Sequence, residues 1–291
     1  MKVLKRRLIL LHGCRNINRR LLRRMLTVDP SLNLFFTLSS KSLSETLQIP
    51  LKRATLIYHE LHDETYRRLM ETSMNKYSIT AFLDADYPAL LKCIPDPPLV
   101  LYLNGDPSLL HTMPSISVIG TRRPSKDAFD TMNHLLPPLI KHGWVIVSGM
   151  AVGVDQFAHQ LSMRYDGKTI AVIGSGFEHI YPKSNTTLYH RIADSHLVVS
   201  EYPPHVKAQR HHFPERNRII SGLTFGTLVI EAKARSGSLI TVEQALEQGR
   251  EVFAVPGSIL NPQSEGCHQM IQDGAKLVRN TYDIIENYPE F

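Results

Sequence analysis

Cysteine is scarce in this chain, and its three copies, Cys14, Cys93 and Cys267, stand far apart with no CxxC spacing. That excludes a disulfide framework and a thiolate zinc site, and it fits a reducing cytoplasm. Long apolar runs are also lacking. No stretch approaches the roughly 18 residues that span a bilayer, and Leu8-Ile9-Leu10-Leu11 is too short to act as a secretory leader. No membrane insertion is expected. The phosphate-binding GxxxxGK[ST] pattern does not occur, and Gly174-Ser175-Gly176 lacks the third glycine of a dinucleotide fingerprint, so no nucleotide cofactor is expected. HExxH and GxSxG are missing too, and the adjacent His211 and His212 cannot both face one metal from a regular element. Neither a metal site nor a catalytic constellation is expected.

What the sequence does have is a 291-residue chain, 43% hydrophobic and 21% charged. That is enough for one sizeable α/β core and a small companion domain. The net charge of +6 suggests a polyanionic partner, and its distribution sharpens the point. Residues 1–70 hold 14 Lys and Arg against 5 Asp and Glu, a net of +9, while residues 71–291 hold 19 against 22. Within that acidic remainder, residues 205–218 gather Lys207, Arg210, Arg216 and Arg218 with three histidines against Glu215 alone.

The basic N-terminal region, residues 1–75, reads as a bundle of short helices. Leu21, Leu22, Met25 and Leu26, then Leu56, Ile57, Leu61 and Leu69, recur at helical spacing, with breaks near Pro30, Ser39-Ser40 and Pro50. Leu11–Ile17 stands where a helix-hairpin-helix turn would, although it lacks that turn's second glycine. Residues 76–110 form a proline-rich linker ending in a lead-in strand at Leu99–Leu103. Over residues 111–285, apolar runs at Ile116–Ile119, Trp144–Val147, Thr169–Ile173, Leu197–Val199, Thr227–Ile230, Val252–Val255 and Lys276–Val278 alternate with helical stretches. Runs without polar alternation suit strands buried on both faces, so the expected fold is α/β, a doubly wound and mostly parallel sheet. Residues 286–291 are read as a tail.

Ligands of open α/β sheets sit beyond the carboxyl ends of the strands. There the runs pass into Gly120-Thr121-Arg122, Ser148-Gly149-Met150-Ala151 and Gly174-Ser175-Gly176. Glycine turns leading into helices bring bare amides close to an anion, and Arg122 adds a cation. Arg210, Phe213, Arg216, Asn217 and Arg218 combine guanidinium groups with an aromatic ring, the pairing that suits an unpaired nucleic-acid strand. Phe213 in a core, and arginines paired with Glu201 or Glu231, are the structural alternative. Ser236-Gly237-Ser238 forms another strand-to-helix turn, where Ser238 or Thr241 could cap the helix.

Taken in order, Tyr87-Pro88, Asp96-Pro97-Pro98, Gly120-Thr121-Arg122, Ser148-Gly149-Met150-Ala151 with Asp155 and His159, Tyr181-Pro182, Ser200-Glu201-Tyr202-Pro203, Phe213-Pro214 through Ile220, Ser236 through Thr241 and Val255-Pro256-Gly257 resemble the DprA/Smf family over about residues 80–280. The resemblance implies an extended Rossmann-like domain that is no enzyme, binds single-stranded DNA without a nucleotide cofactor, forms a homodimer and hands the strand to the recombinase RecA in natural transformation. It maps the DNA-contacting pocket onto Arg122, Lys183, Arg210 and Phe213, with Arg216, Asn217 and Arg218 beside them. It likens the N-terminal helices to a sterile-alpha-motif-like domain. Val152 replaces a cation frequent in that turn of the family, and no winged-helix segment follows residue 291, so sequence-specific duplex binding is not expected. The competing expectation is an enzyme. Gly222 through Glu231 resembles the PGGxGTxxE signature of nucleoside-monophosphate phosphoribohydrolases, with Ser221 in place of proline and Glu231 one residue late, which turns its side chain to the opposite strand face.

Overall fold

The computed structural model describes residues 2–289; residues 290 and 291 of the expected tail lie outside the described residues. The chain forms two compact units. One takes the residues up to Tyr87 together with Pro98–Tyr102, and the other takes Pro88–Pro97 together with the residues from Leu103 on. The proline-rich stretch is thus shared between the units.

In the first unit, helices α1 (Lys2–Gly13), α2 (Arg19–Val28), α3 (Ser40–Leu47), α4 (Leu51–His62) and α5 (Glu64–Lys76) precede a short strand β1 (Ser78–Ala81). Their starts follow capping chemistry. Asn18, Ser39 and Asp63 accept the amides of Leu21, Ser42 and Thr65, and Pro50 opens α4. Leu8, Leu22, Met25, Leu43, Ile57 and Leu61 fill the interior. Gly13 is buried where α1 meets α5: a β-carbon there would press on Tyr66 and Met70. Its lack of a side chain therefore serves helix packing.

Strand β2 (Val100–Gly105) follows, and the second unit holds β3 (Ser115–Ile119), β4 (Val145–Ser148), β5 (Thr169–Ile173), β6 (Leu197–Ser200), β7 (Gly226–Val229), β8 (Glu251–Ala254) and β9 (Lys276–Leu277). These seven lie in the order β6-β5-β4-β3-β7-β8-β9. Each neighbouring pair among them is parallel. The expected α/β class and parallel sheet are therefore present, each strand within a residue or two of its apolar run. Helices α6 (Ala89–Lys92), α7 (Lys126–Lys141), α8 (Val154–Arg164), α9 (Thr186–Ser195), α10 (His212–Gly222), α11 (Gly237–Glu247), α12 (Glu265–Gln272) and α13 (Tyr282–Ile285) belong to the same unit. Ile116, Val118, Met132, Leu136, Ile146, Leu161, Leu228 and Phe253 pack into a core between sheet and helices. Among the described residues no helix is long and apolar enough to cross a membrane.

The strand order sets the position of the site. From β3 the chain steps outward through β4, β5 and β6, then returns to the other side of β3 for β7, β8 and β9. The order reverses at β3, and such a reversal leaves a crevice at the carboxyl edge of the sheet.

Candidate nucleic-acid interface

At that reversal lies a groove of about 670 Å3. Gly120, Thr121 and Arg122, the residues that leave β3, form one wall, with Arg122 exposed. Their path is pinned on both sides: the Thr121 amide donates to the Glu231 carbonyl at 2.8 Å, and the Val154 amide donates to the Thr121 carbonyl at 3.2 Å. Gly153 makes the second contact possible. It adopts φ +86°, and a β-carbon there would come within 2.5 Å of the Thr121 carbonyl oxygen.

Ala151 and Asp155 enter the groove from the turn after β4. Gly149 does not line it but makes room behind it, because its missing side chain leaves space for the Asp155 carboxylate and the Arg216 guanidinium. Arg216 is buried, donating Nη1 to the Val172 carbonyl and Nε to Asn217 Oδ1 at 3.2 Å. Burial pulls the Arg216 pKa below its ordinary value, and Asp155 opposes that pull. Burial also raises the Asp155 carboxyl, against the Arg216 charge and the Ala151 amide. The two charges largely serve each other, so the acid on this wall does little to repel an anion.

His159 supports the same turn. It is fully buried, with Nε2 at 2.6 Å from the Gly149 carbonyl oxygen and Nδ1 at 2.7 Å from Thr169 Oγ1. Burial lowers its pKa to about 4. The ring is therefore neutral at pH 7, and its one proton belongs on Nε2, donated to the carbonyl.

The opposite wall comes from α10 and the turn before it: exposed Arg210, half-buried Phe213 and Asn217, and buried Arg216. Tyr181 faces Phe213 with ring centroids 5.4 Å apart. Both rings also line a cavity of about 80 Å3 with Arg122, Met150 and Gly174. The third side is the strand-to-helix turn after β7, with exposed Lys233 and Arg235 followed by Ser236, Gly237 and Ser238. Ser236, not Ser238 or Thr241, is the N-cap of α11, and its side chain makes no capping bond. Among the described residues its buried Oγ has no hydrogen-bond partner, and a side chain at Gly237 would meet open space. A helix N-terminus left this bare is suited to an anion.

Of the residues singled out by sequence, Gly120, Thr121, Arg122, Arg210, Phe213, Arg216, Asn217, Ser236, Gly237 and Ser238 thus line one groove. Two cations stand apart. Lys183 is exposed at the start of the turn Lys183–Asn185 and is not part of the groove wall. That turn is held by buried Asn185, whose amide donates to the Met150 carbonyl at 2.9 Å. Arg218, expected beside the other arginines of this block, is not part of the groove wall. It is buried and bidentate with Glu201, at 2.9 and 2.7 Å, and donates Nε to the Asp96 carbonyl at 3.0 Å. Lys233, Arg235 and Tyr181 were missed. The first two follow a strand, as Arg122 does, and that position was the available signal. Glu231, which the phosphoribohydrolase-like reading would use, is buried. Its carboxylate accepts the Ser125 amide at 2.9 Å and the Asn261 side-chain amide at 3.2 Å.

Comparison with known proteins agrees with this architecture. The family model described as DNA recombination-mediator protein A matches residues 78–289. The DNA processing protein DprA of Bacillus subtilis is 50% identical over 204 residues, 70% of this chain and 69% of that protein. Its Streptococcus pneumoniae counterpart is 45% identical over 219 residues, 75% of this chain and 77% of that protein. The X-ray structure of DNA processing protein A from Streptococcus pneumoniae superposes with a TM-score of 0.82 at 37% identity, covering 98% of this chain and 97% of that one. The Helicobacter pylori DNA processing protein A, a structure described for its single-stranded DNA binding mode, superposes with a TM-score of 0.66 at 30% identity over 72% of this chain and 94% of that one.

Proposed function

The chain belongs to the DNA recombination-mediator protein A family, and we propose that it binds single-stranded DNA along the groove at the strand-order reversal and acts as a binding protein, without catalysis. The observation that carries this reading is the convergence of Arg122, Arg210, Lys233 and Arg235 around Phe213 and Tyr181 in one groove. The cations neutralise phosphates, the bare start of α11 offers amides, and the two rings give splayed bases a surface on which to stack. Cations beside two aromatic rings favour an unpaired strand of any sequence.

In the cell, the bound strand passes to the recombinase RecA in the cytoplasm during transformation and recombination, and the protein works as a homodimer. The dimer reading places the exposed Leu246 and Leu277 at the contact between the two copies. The deciding experiment is an oligo-dT titration across a salt series. Binding through phosphates gives a log–log slope of about −0.7 per phosphate neutralised. An affinity indifferent to salt, or release of ribose phosphate from a nucleoside monophosphate, overturns the reading.

A further inference from the structure

The loop between β8 and α12 carries two apolar side chains that the core does not use. Ile259 and Leu260 are 89% and 88% exposed, the highest values for large hydrophobic residues among the described residues. A single exposed leucine is ordinary, but this pair stands on a loop fastened from end to end. The Leu260 amide donates to Ser258 Oγ at 3.2 Å, and the Asn261 amide donates to the Ser258 carbonyl at 3.0 Å. The Gln263 amide donates to Asn261 Oδ1 at 3.0 Å, and the Ser264 amide to the Asn261 carbonyl at 2.9 Å. Gly257 lets the two ends close, because a β-carbon there would collide with Ser264 Oγ. A loop bonded in this way holds the pair ready, so a contact made there costs little further ordering.

The outer fastenings set where the pair stands. Gln263 donates Nε2 to the Arg123 carbonyl at 2.9 Å, and its Oε1 accepts the Thr121 hydroxyl at 3.4 Å. Asn261 donates its side-chain amide to Glu231 at 3.2 Å, and the Gly266 amide donates to the Ala232 carbonyl at 2.8 Å. The loop is thus tied to the turn of Thr121 and Arg122 and to the turn that leads into Lys233, and both turns are walls of the groove. Leu260 lies three residues from Gln263, which keeps it within about 11 Å of that anchor. From Pro256 to Ser264 no residue is charged, whereas Arg122, Arg123 and Lys233 on the two turns are exposed cations.

We propose that Ile259 and Leu260 form a rigid apolar edge at the rim of the groove, against which a base of the bound single strand packs as the strand runs past Arg123. The inference rests on the groove reading for the identity of the polymer. Its phosphates follow the cations of the two turns, and its bases meet an uncharged edge. Apolar side chains set against base faces are an established way to hold a strand with its stacking interrupted. The loop's attachment to both groove walls selects DNA as the occupant over a bilayer or a second copy of the chain.

The test uses the full chain in four forms: wild type, Ile259→Ser/Leu260→Ser, Ile259→Met/Leu260→Met, and Arg122→Ala. Each is titrated across a salt series with an oligo-dT long enough to run beyond the groove and with a fully abasic strand of the same length. The serine variant is expected to bind oligo-dT about tenfold more weakly, the worth of burying part of two apolar side chains. Its salt slope should equal that of wild type, because no cation is lost. On the abasic strand the serine variant and wild type should bind alike, and the methionine variant should match wild type on both strands. Substitution of exposed side chains should leave the melting temperature unchanged, which separates lost binding from lost fold. Equal affinity of the serine variant and wild type for oligo-dT overturns the proposal. So does a loss of the same size on the abasic strand, a loss of self-association in the serine variant, or its failure to bind phosphatidylglycerol vesicles that wild type binds while DNA binding stays intact. Full affinity in Arg122→Ala would instead sink the groove reading, and the comparison of dT with abasic strand would still decide this one.

Discussion

Arg218 grips Glu201 with both ends of its guanidinium, Nη2 to Oε1 at 2.7 Å and Nη1 to Oε2 at 2.9 Å, and both side chains are buried. Arg216, two residues earlier on the same helix, reaches the groove wall instead. Two helical residues are about 200° apart around the axis, so one short basic block divides between holding the fold and shaping the site.

Arg218→Ala should therefore act on stability. It removes the bidentate partner of the buried Glu201 carboxylate and is expected to cost about 3–5 kcal/mol. The salt slope of DNA binding should stay at the wild-type value in the molecules that remain folded. A urea titration paired with oligo-dT binding checks both parts, and a lowered slope in a stable Arg218→Ala protein would place this arginine on the strand.

Arg122→Ala should do the opposite. Arg122 is exposed, so its loss should leave the unfolding midpoint within about 0.5 kcal/mol of wild type. Oligo-dT affinity should fall for every sequence tested, with the slope reduced by about 0.7. Undiminished affinity would remove Arg122 from the interface.

Phe213→Ala is expected to lower affinity by about 1–3 kcal/mol, the worth of one stacked base, with the salt slope unchanged. Tyr181→Ala should give a smaller loss in the same direction, because the ring at 5.4 Å supports Phe213 as well as extending the surface. Binding by both variants at wild-type strength would show that no base meets this pair.

Acid should weaken the fold through His159. Burial holds its folded pKa near 4, below the ordinary histidine value of 6.5. The unfolded chain takes up a proton below about pH 6.5 that the folded chain refuses until about pH 4. Its contribution is complete above pH 6.5 and is lost progressively as pH falls through that window, by on the order of 3 kcal/mol. Urea midpoints at pH 7 and pH 4.5 should converge in His159→Gln relative to wild type. An identical pH dependence in the two proteins would mean that the ring is not held neutral.

Much of the fold is legible along the chain. Strands of a parallel sheet are covered on both faces, so each shows as an unbroken apolar run, and β3 through β8 lie where those runs occur. Strand β1 carries only Ser78-Ile79-Thr80-Ala81, too polar to announce itself. The site is legible in part. The rule that ligands gather beyond strand carboxyl ends singles out Arg122, and clustering with an aromatic ring singles out Arg210 and Phe213. The family resemblance brings in Lys183, which stands outside the groove, and the two cues pass over Lys233, Arg235 and Tyr181.

Sequence alone thus determined the class of the fold, the sheet edge at which the groove opens and the excess of positive charge, because hydrophobic periodicity, glycine turns and net charge are properties of neighbouring residues. Only the tertiary structure decided which cations face the groove. Arg218 meets Asp96 from 122 residues away and Arg216 meets Val172 from 44, and whether a guanidinium is consumed inside the protein or left for a phosphate depends on those distant partners.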